Sequence, residues 1–164
     1  MKEVYKNIYV GNQNDYYSAN TSEGAVVHAC KDPFHKELVG YRGNLSPSHS
    51  NYALIEQSNR LALNLVDMDT FSDAYFEHHK KMLVHTIDFI NRKIKEGKKM
   101  LIHCNQGQSR APSIAMLYLA SIGIFNYDSF EETELLFKTN YPEYNPRINI
   151  RENIRRSWSE IVIK

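Results

Sequence analysis

The sequence predicts an α/β fold, a central and mostly parallel sheet flanked by helices. Three observations lead there. Short aliphatic runs without polar alternation, such as Gly24–Ala29 and Met100–Ile102, read as strands buried on both faces. Longer stretches with apolar residues at helical spacing alternate with those runs. The run 100–102 is followed, after a short polar loop, by a helix-like apolar stretch from Ser113 to Ala120.

The elements follow in chain order. Asn7 to Val10 reads as a short strand stopped by Gly11-Asn12, and Asp15 to Ala19 as a helical turn. Gly24 to Ala29 is a buried strand. Lys31 to Ser50, with Pro33, Gly40, Gly43 and Pro47, reads as one long loop, the kind of segment that often faces substrate. Tyr52–Gln57 and Arg60–Val66 flank Ser58-Asn59 and form a hairpin. Asp67 to Glu77 is acidic and irregular. His78 to Glu96 turns helical, with Met82, Leu83, Ile87, Ile90 and Ile94 near one face and Gly97 as its stop. After the helix from Ser113, Phe130, Leu136 and Phe137 mark another helix that ends at Tyr141-Pro142. A last helix runs from Asn149 to Ile161, with Ile150, Ile154, Trp158 and Ile161 at helical spacing.

The 164 residues suit a single domain over 1–164, with no repeat and no low-complexity segment. Hydrophobic residues at 42% and charged residues at 24% fit a globular chain. A net charge of +1 argues against a general nucleic-acid or anionic-membrane binder. Two cysteines make no disulfide framework and fit a reducing, cytoplasmic setting. The N-terminal residues Met1–Lys6 show no signal region, and the longest apolar run, Ile114 to Phe125, is too short to span a bilayer. The histidines show no metal spacing, and no cofactor is expected.

The chemistry concentrates in His103-Cys104-Asn105-Gln106-Gly107-Gln108-Ser109-Arg110. A tight loop between a strand and a helix N-terminus turns its backbone N–H groups inward as an anion cradle. Gly107 supplies the φ > 0 that such a loop needs. Arg110, at the helix start, offers a planar fork to two oxygens of a tetrahedral oxyanion. Cys104 lies at the floor, where the amides, the helix dipole and the arginine all favour a thiolate. A thiolate under a phosphate-sized cup is a nucleophile aimed at phosphorus.

His103-Cys104, five residues and Arg110 resemble the signature loop of the cysteine-based protein tyrosine phosphatase superfamily, and Gly107 with Ser109-Arg110 resembles its dual-specificity branch. Asn7–Gly11 and Ala25–Cys30 are similar to the early strands of the same branch. The resemblance implies a protein tyrosine phosphatase-like fold and a phosphocysteine intermediate. It also implies a general acid on a loop roughly thirty residues before the cysteine, just after a strand. Asp69 is the first candidate, Asp67 the second and Asp73 the third. His103 is expected to order the loop rather than act as a base. Asn105, Gln106, Gly107, Gln108 and Ser109, with Arg110, are expected to bind the phosphoryl group. Family members often carry Ser or Thr directly after the arginine, where this chain has Ala111, so breakdown of the intermediate is expected to be slower.

Cys30 ends another predicted strand, and strand C-termini of a parallel sheet gather at one edge. It reads either as a buried structural thiol or as a disulfide partner for Cys104 on oxidation. The expected substrate is a phosphorylated protein, phosphotyrosine first and phosphoserine or phosphothreonine after it. The neutral residues at 105, 106 and 108 disfavour polyphosphorylated lipids. The competing readings are an RNA 5′-phosphatase, which should show a basic channel, a rhodanese-like sulfur transferase, whose loop is usually one residue shorter, and a catalytically weak phosphopeptide-binding module. Oligomeric state is open.

Overall fold

A computed structural model describes residues 1–125 and 129–162, so the last two positions of the expected 1–164 domain lie outside the described residues. Among the described residues six strands form one sheet in the order β1-β2-β6-β3-β5-β4. They are β1 (Lys2–Tyr5), β2 (Ile8–Gly11), β3 (Ala25–His28), β4 (Leu54–Gln57), β5 (Arg60–Leu63) and β6 (Met100–His103). The inner four, β2, β6, β3 and β5, are parallel, while β1 and β4 close the edges antiparallel. The sheet is therefore mixed and mostly parallel.

Burial explains which strands were visible beforehand. All four residues of β3 and all four of β6 are buried, as a covered parallel strand requires. The edge strand β1 was not anticipated. Its Lys2 and Glu3 are exposed, so it carries no apolar run. The hairpin is as expected: Gln57 pairs with Arg60 across Ser58-Asn59, with Ser58 at φ 55°.

Among the described residues six α-helices cover the faces: α1 (Gln13–Ser18), α2 (Lys36–Val39), α3 (Phe76–Lys95), α4 (Arg110–Ser121), α5 (Phe130–Asn140) and α6 (Ile148–Ile161). The stretch expected as a loop from Lys31 to Ser50 instead opens with helical turns, Lys31–His35 and then α2, which bury Phe34 and His35. Pro33 and Gly40 had masked them. Pro33 lies inside the first of these turns and Gly40 caps α2 at φ 89°. Helix α3 begins at Phe76, preceded by a 3₁₀ turn at Asp73–Tyr75.

Helix α4 begins at Arg110, earlier than the apolar pattern suggested. Pro112 falls in its first turn, where a missing N–H costs nothing. Every residue of α4 but Ser121 is buried, which is why it shows no amphipathic stripe. It packs on β6 and β2 and is flanked by α3, α5 and α6. The fold thus holds β6 and α4 rigidly and leaves the loop between them at the C-terminal edge of the parallel strands, where α/β sheets place their ligands. No helix among the described residues is long and apolar enough to cross a membrane.

Candidate active site

The loop from Cys104 to Ser109 gets its shape from neighbours that hold its carbonyls. Gln13 N–H donates to the Asn105 carbonyl at 3.3 Å, and Asn145 N–H donates to the Gln108 carbonyl at 2.8 Å. The Tyr141 hydroxyl donates to the Gly107 carbonyl at 2.8 Å. With three carbonyls engaged from outside, the amides are free to face inward. Gly107 sits at φ 73°, and a Cβ there would lie 3.0 Å from the carbonyl carbon and oxygen of Gly11. Both the conformation and the close approach to β2 require glycine.

Cys104 is 2% exposed, at the floor of this cup. The Gly107 N–H donates to its Sγ at 3.3 Å. Gln106 and Gln108 are exposed on the rim, and neither carries a charge.

Arg110 is 9% exposed and fixed by three acceptors. Its Nε donates to Asp67 Oδ2 at 3.1 Å, Nη1 to the Leu65 carbonyl at 3.0 Å and Nη2 to Asn105 Oδ1 at 2.7 Å. A guanidinium has five N–H groups. Three are used here, which leaves one on Nη1 and one on Nη2 for an oxyanion. Asn105 is also tied down, since its Nδ2 donates to Gln13 Oε1 and to the Asp32 carbonyl, each at 3.0 Å.

The three candidate acids separate clearly. Asp67 reaches the loop: besides Arg110, it accepts from the Ser109 hydroxyl at 2.6 Å through Oδ1. Asp69 lies at the surface, its side chain 73% exposed, and pairs with Arg147 at 3.0 Å. Asp73 is 83% exposed and pairs with Arg156. Alternation alone would put Asp67 and Asp69 on one face; the chain bends at Asp69 and Thr70, and Asp69 leaves the face from which Asp67 reaches the loop. Asp67 faces the loop, whereas Val66 and Met68 line a separate cavity of about 290 Å³ with Lys31, Tyr52 and His78.

Ser109 also accepts from Arg147 N–H at 3.0 Å, so its hydroxyl is committed away from Cys104. Ala111 is fully buried. Cys30 and Cys104 are both buried free thiols, and burial pushes the Cys30 thiol up to about 12.

Behind the cup, His103 and His28 are both 0% exposed. They end neighbouring strands and pair in register. Their rings meet at 2.6 Å between His28 Nδ1 and His103 Nε2, and Arg60 Nε donates to His28 Nε2 at 3.0 Å. Burial pushes His103 down to about 4 and His28 to about 2. Burial therefore favours the neutral form of both rings.

Sequence reasoning did not anticipate Tyr141, Gln13, Arg60 or His28 as supports of the loop. Tyr141 was visible only as the residue before a helix-ending proline. The others reach the site through chain crossings that no local pattern records.

A strand-end cysteine beneath a glycine-turned amide cup, with an arginine opening the following helix, is the arrangement of cysteine-based phosphatases. Residues 24–156 match the model for the dual specificity phosphatase catalytic domain, and the chain belongs to that family of protein phosphatases. A tyrosine-protein phosphatase named from Amsacta moorei entomopoxvirus is 51% identical over 111 residues, which cover 57% of this chain and 67% of the relative. Solved structures agree on the fold. The human tyrosine phosphatase-like serine/threonine/tyrosine-interacting protein aligns with a TM-score of 0.64 at 13% identity, over 99% of this chain and 97% of the other. A leucine rich repeat and phosphatase domain containing protein from Entamoeba histolytica gives 0.63 at 15% identity, over 96% and 90%. The Orf virus tyrosine phosphatase OH1 gives 0.56 at 16%, over 100% and 87%.

Proposed function

We propose that this chain hydrolyses phosphomonoesters of proteins, phosphotyrosine first and phosphoserine or phosphothreonine more slowly, through a phosphocysteine intermediate. The observation that carries the reading is the joint placement of the Cys104 thiol, the inward Gly107 N–H at 3.3 Å and the anchored Arg110 guanidinium on one loop. His103 and the loop residues Asn105, Gln106, Gly107, Gln108 and Ser109 frame the phosphoryl group in this reading.

The steps balance as follows. The substrate phosphoryl group enters the cup, where the amides and the two remaining Arg110 N–H groups bind its oxygens. The Cys104 thiolate attacks phosphorus, the bond from phosphorus to the substrate oxygen breaks, and that oxygen takes a proton from a carboxylic acid. The same carboxylate then removes a proton from water, which attacks phosphorus. The sulfur–phosphorus bond breaks, releasing inorganic phosphate and the thiolate.

For the acid we propose Asp67 ahead of Asp69, reversing the order suggested by spacing alone. Asp67 is the carboxylate already in contact with Arg110 and Ser109. Asp69 is the rival, because its pair with Arg147 is an exposed one that opens easily. The neutral rim of Gln106 and Gln108 favours protein phosphoesters over polyphosphorylated lipids. The +1 charge does not support the RNA 5′-phosphatase reading, and the intact cysteine and arginine argue against a binding-only module.

The test is hydrolysis of an aryl phosphate and a phosphopeptide panel by wild type and Cys104→Ser. Turnover on phosphotyrosine peptides by wild type and none by Cys104→Ser supports the reading. Wild type that is inert on every phosphoester, yet binds phosphopeptides, would support the binding-module reading.

A further inference from the structure

Two buried imidazoles stand end to end behind the catalytic loop, and their hydrogen-bond geometry allows only one arrangement of protons. Arg60 Nε is a permanent donor, so His28 Nε2, 3.0 Å away, must be the bare, accepting nitrogen. A neutral imidazole carries its proton on the other nitrogen, so His28 Nδ1 donates across the 2.6 Å contact to His103 Nε2. His103 Nε2 is then the acceptor, and the His103 proton is forced onto Nδ1. That buried nitrogen makes no hydrogen bond of normal geometry, and the main chain of Cys104 is the backbone group that acts on the ring.

Aromatic rings pack both imidazoles and fix their planes. Tyr16 stacks flat on His103, with centroids 4.9 Å apart and planes 4° apart, and meets His28 edge-on at 4.7 Å. Phe34 does the reverse, stacking on His28 at 4.6 Å and meeting His103 edge-on at 4.7 Å. Each imidazole is therefore held between two aromatic rings set at right angles.

We infer that Arg60 is a positioning residue for the phosphatase reaction, fixing the His103 tautomer through His28 so that Nδ1–H is presented to the main chain of the nucleophile. This rests on the reading of Cys104 as nucleophile. Were Arg60 unable to donate, His28 could carry its proton on Nε2. His103 would then have to donate from its own Nε2 and turn a bare Nδ1 lone pair toward the Cys104 main chain. The group facing the main chain of the nucleophile would change from a donor to an acceptor. The other charges acting on His103 are Asp15 and Arg110, and neither hydrogen-bonds its ring.

Nitrogen NMR of the histidine rings at neutral pH tests this on the full chain. In wild type and in Cys104→Ser alike, His103 is expected to show a protonated Nδ1 and a bare Nε2. A protonated Nε2 overturns the proposal whatever happens to activity. Arg60→Met, which keeps the length and removes the donor, should populate the second tautomer. It should also lower kcat by roughly tenfold, the scale seen when an outer partner of a catalytic group is removed, with KM for an aryl phosphate unchanged. Arg60→Lys, which restores a donor, should recover both. An unchanged His103 spectrum and unchanged kcat in folded Arg60→Met overturn the proposal. If Arg60→Met does not fold, the wild-type spectrum and the Arg60→Lys variant still decide. Turnover that survives in Cys104→Ser would overturn the nucleophile reading instead, and the ring spectra distinguish that failure from this one.

Discussion

Asp67 grips Arg110 through one carboxylate oxygen at 3.1 Å and the neighbouring Ser109 hydroxyl through the other at 2.6 Å. One side chain thereby joins the segment after β5 to the start of α4. In the proposed mechanism this carboxylate stands beside the arginine that would hold the phosphoryl group.

If Asp67 is the acid, the loss in Asp67→Asn depends on the leaving group. Turnover should fall by about 10²-fold or more on an alkyl or phenyl phosphate, whose leaving oxygen needs the proton, and much less on an activated aryl phosphate. Asp69→Asn should stay near wild type on both. A uniform loss in Asp67→Asn would instead mean that Asp67 only orients Arg110. A leaving-group-dependent loss confined to Asp69→Asn would assign the acid there.

Gly107→Ala should disable the loop. The φ of 73° costs a side-chain-bearing residue about 1–2 kcal/mol, and the new Cβ would press on the Gly11 carbonyl at 3.0 Å. The Gly107 N–H that faces Cys104 Sγ would shift with it. The expected result is a lower Tm together with a loss of kcat larger than the stability change explains. An active, equally stable Gly107→Ala protein would contradict the geometry described for this turn.

Acid should destabilise the fold through its buried histidines. His103 and His28 are held neutral, pushed from 6.5 to about 4 and about 2. Between pH 6.5 and 4 the unfolded chain therefore binds protons that the folded chain refuses. Stability is fully present above 6.5 and falls as pH drops, by roughly 1.4 kcal/mol per pH unit for each histidine. Burial shifts His35 and His79 in the same direction. Urea midpoints at pH 7.5, 6 and 5 should fall in that order, and His28→Asn should make the fall shallower. A flat profile would contradict neutral burial of the pair.

Ala111→Ser should speed the second half of the reaction. The Ser109 hydroxyl is held by Asp67 and Arg147, so it does not stand in for a hydroxyl at 111. A serine at 111 offering a hydrogen bond to the departing thiolate should raise the rate of intermediate breakdown by about tenfold, the worth of one bond to a charged group. Rapid-quench kinetics would show a smaller burst and a faster steady state. Unchanged burst and turnover would show that the alanine is neutral here.

The sequence made the centre of this molecule legible and the periphery much less so. Buried parallel strands and the mostly apolar α4 announce themselves because both of their faces are covered. The signature loop was readable because its chemistry needs particular residues at fixed spacing. The edge strand β1 was hidden because it is half-exposed, and α2 because it is one turn long, with Pro33 in the turn before it and Gly40 at its end. Asp67 and Asp69 are two residues apart and would share a face of an extended segment; the bend at Asp69 and Thr70 separates them, and spacing alone does not record it. Arg60 and Tyr141 lie far along the chain from Cys104, and only the fold brings them to it.

The most direct measurement quenches the enzyme during turnover of a phosphotyrosine peptide and locates the phosphoryl group by mass spectrometry. The mechanism predicts one phosphoryl group on Cys104, longer-lived in Asp67→Asn if that residue activates water, and absent in an inactive Cys104→Ser protein. A phosphoryl group on another residue, or turnover that survives Cys104→Ser, would contradict it.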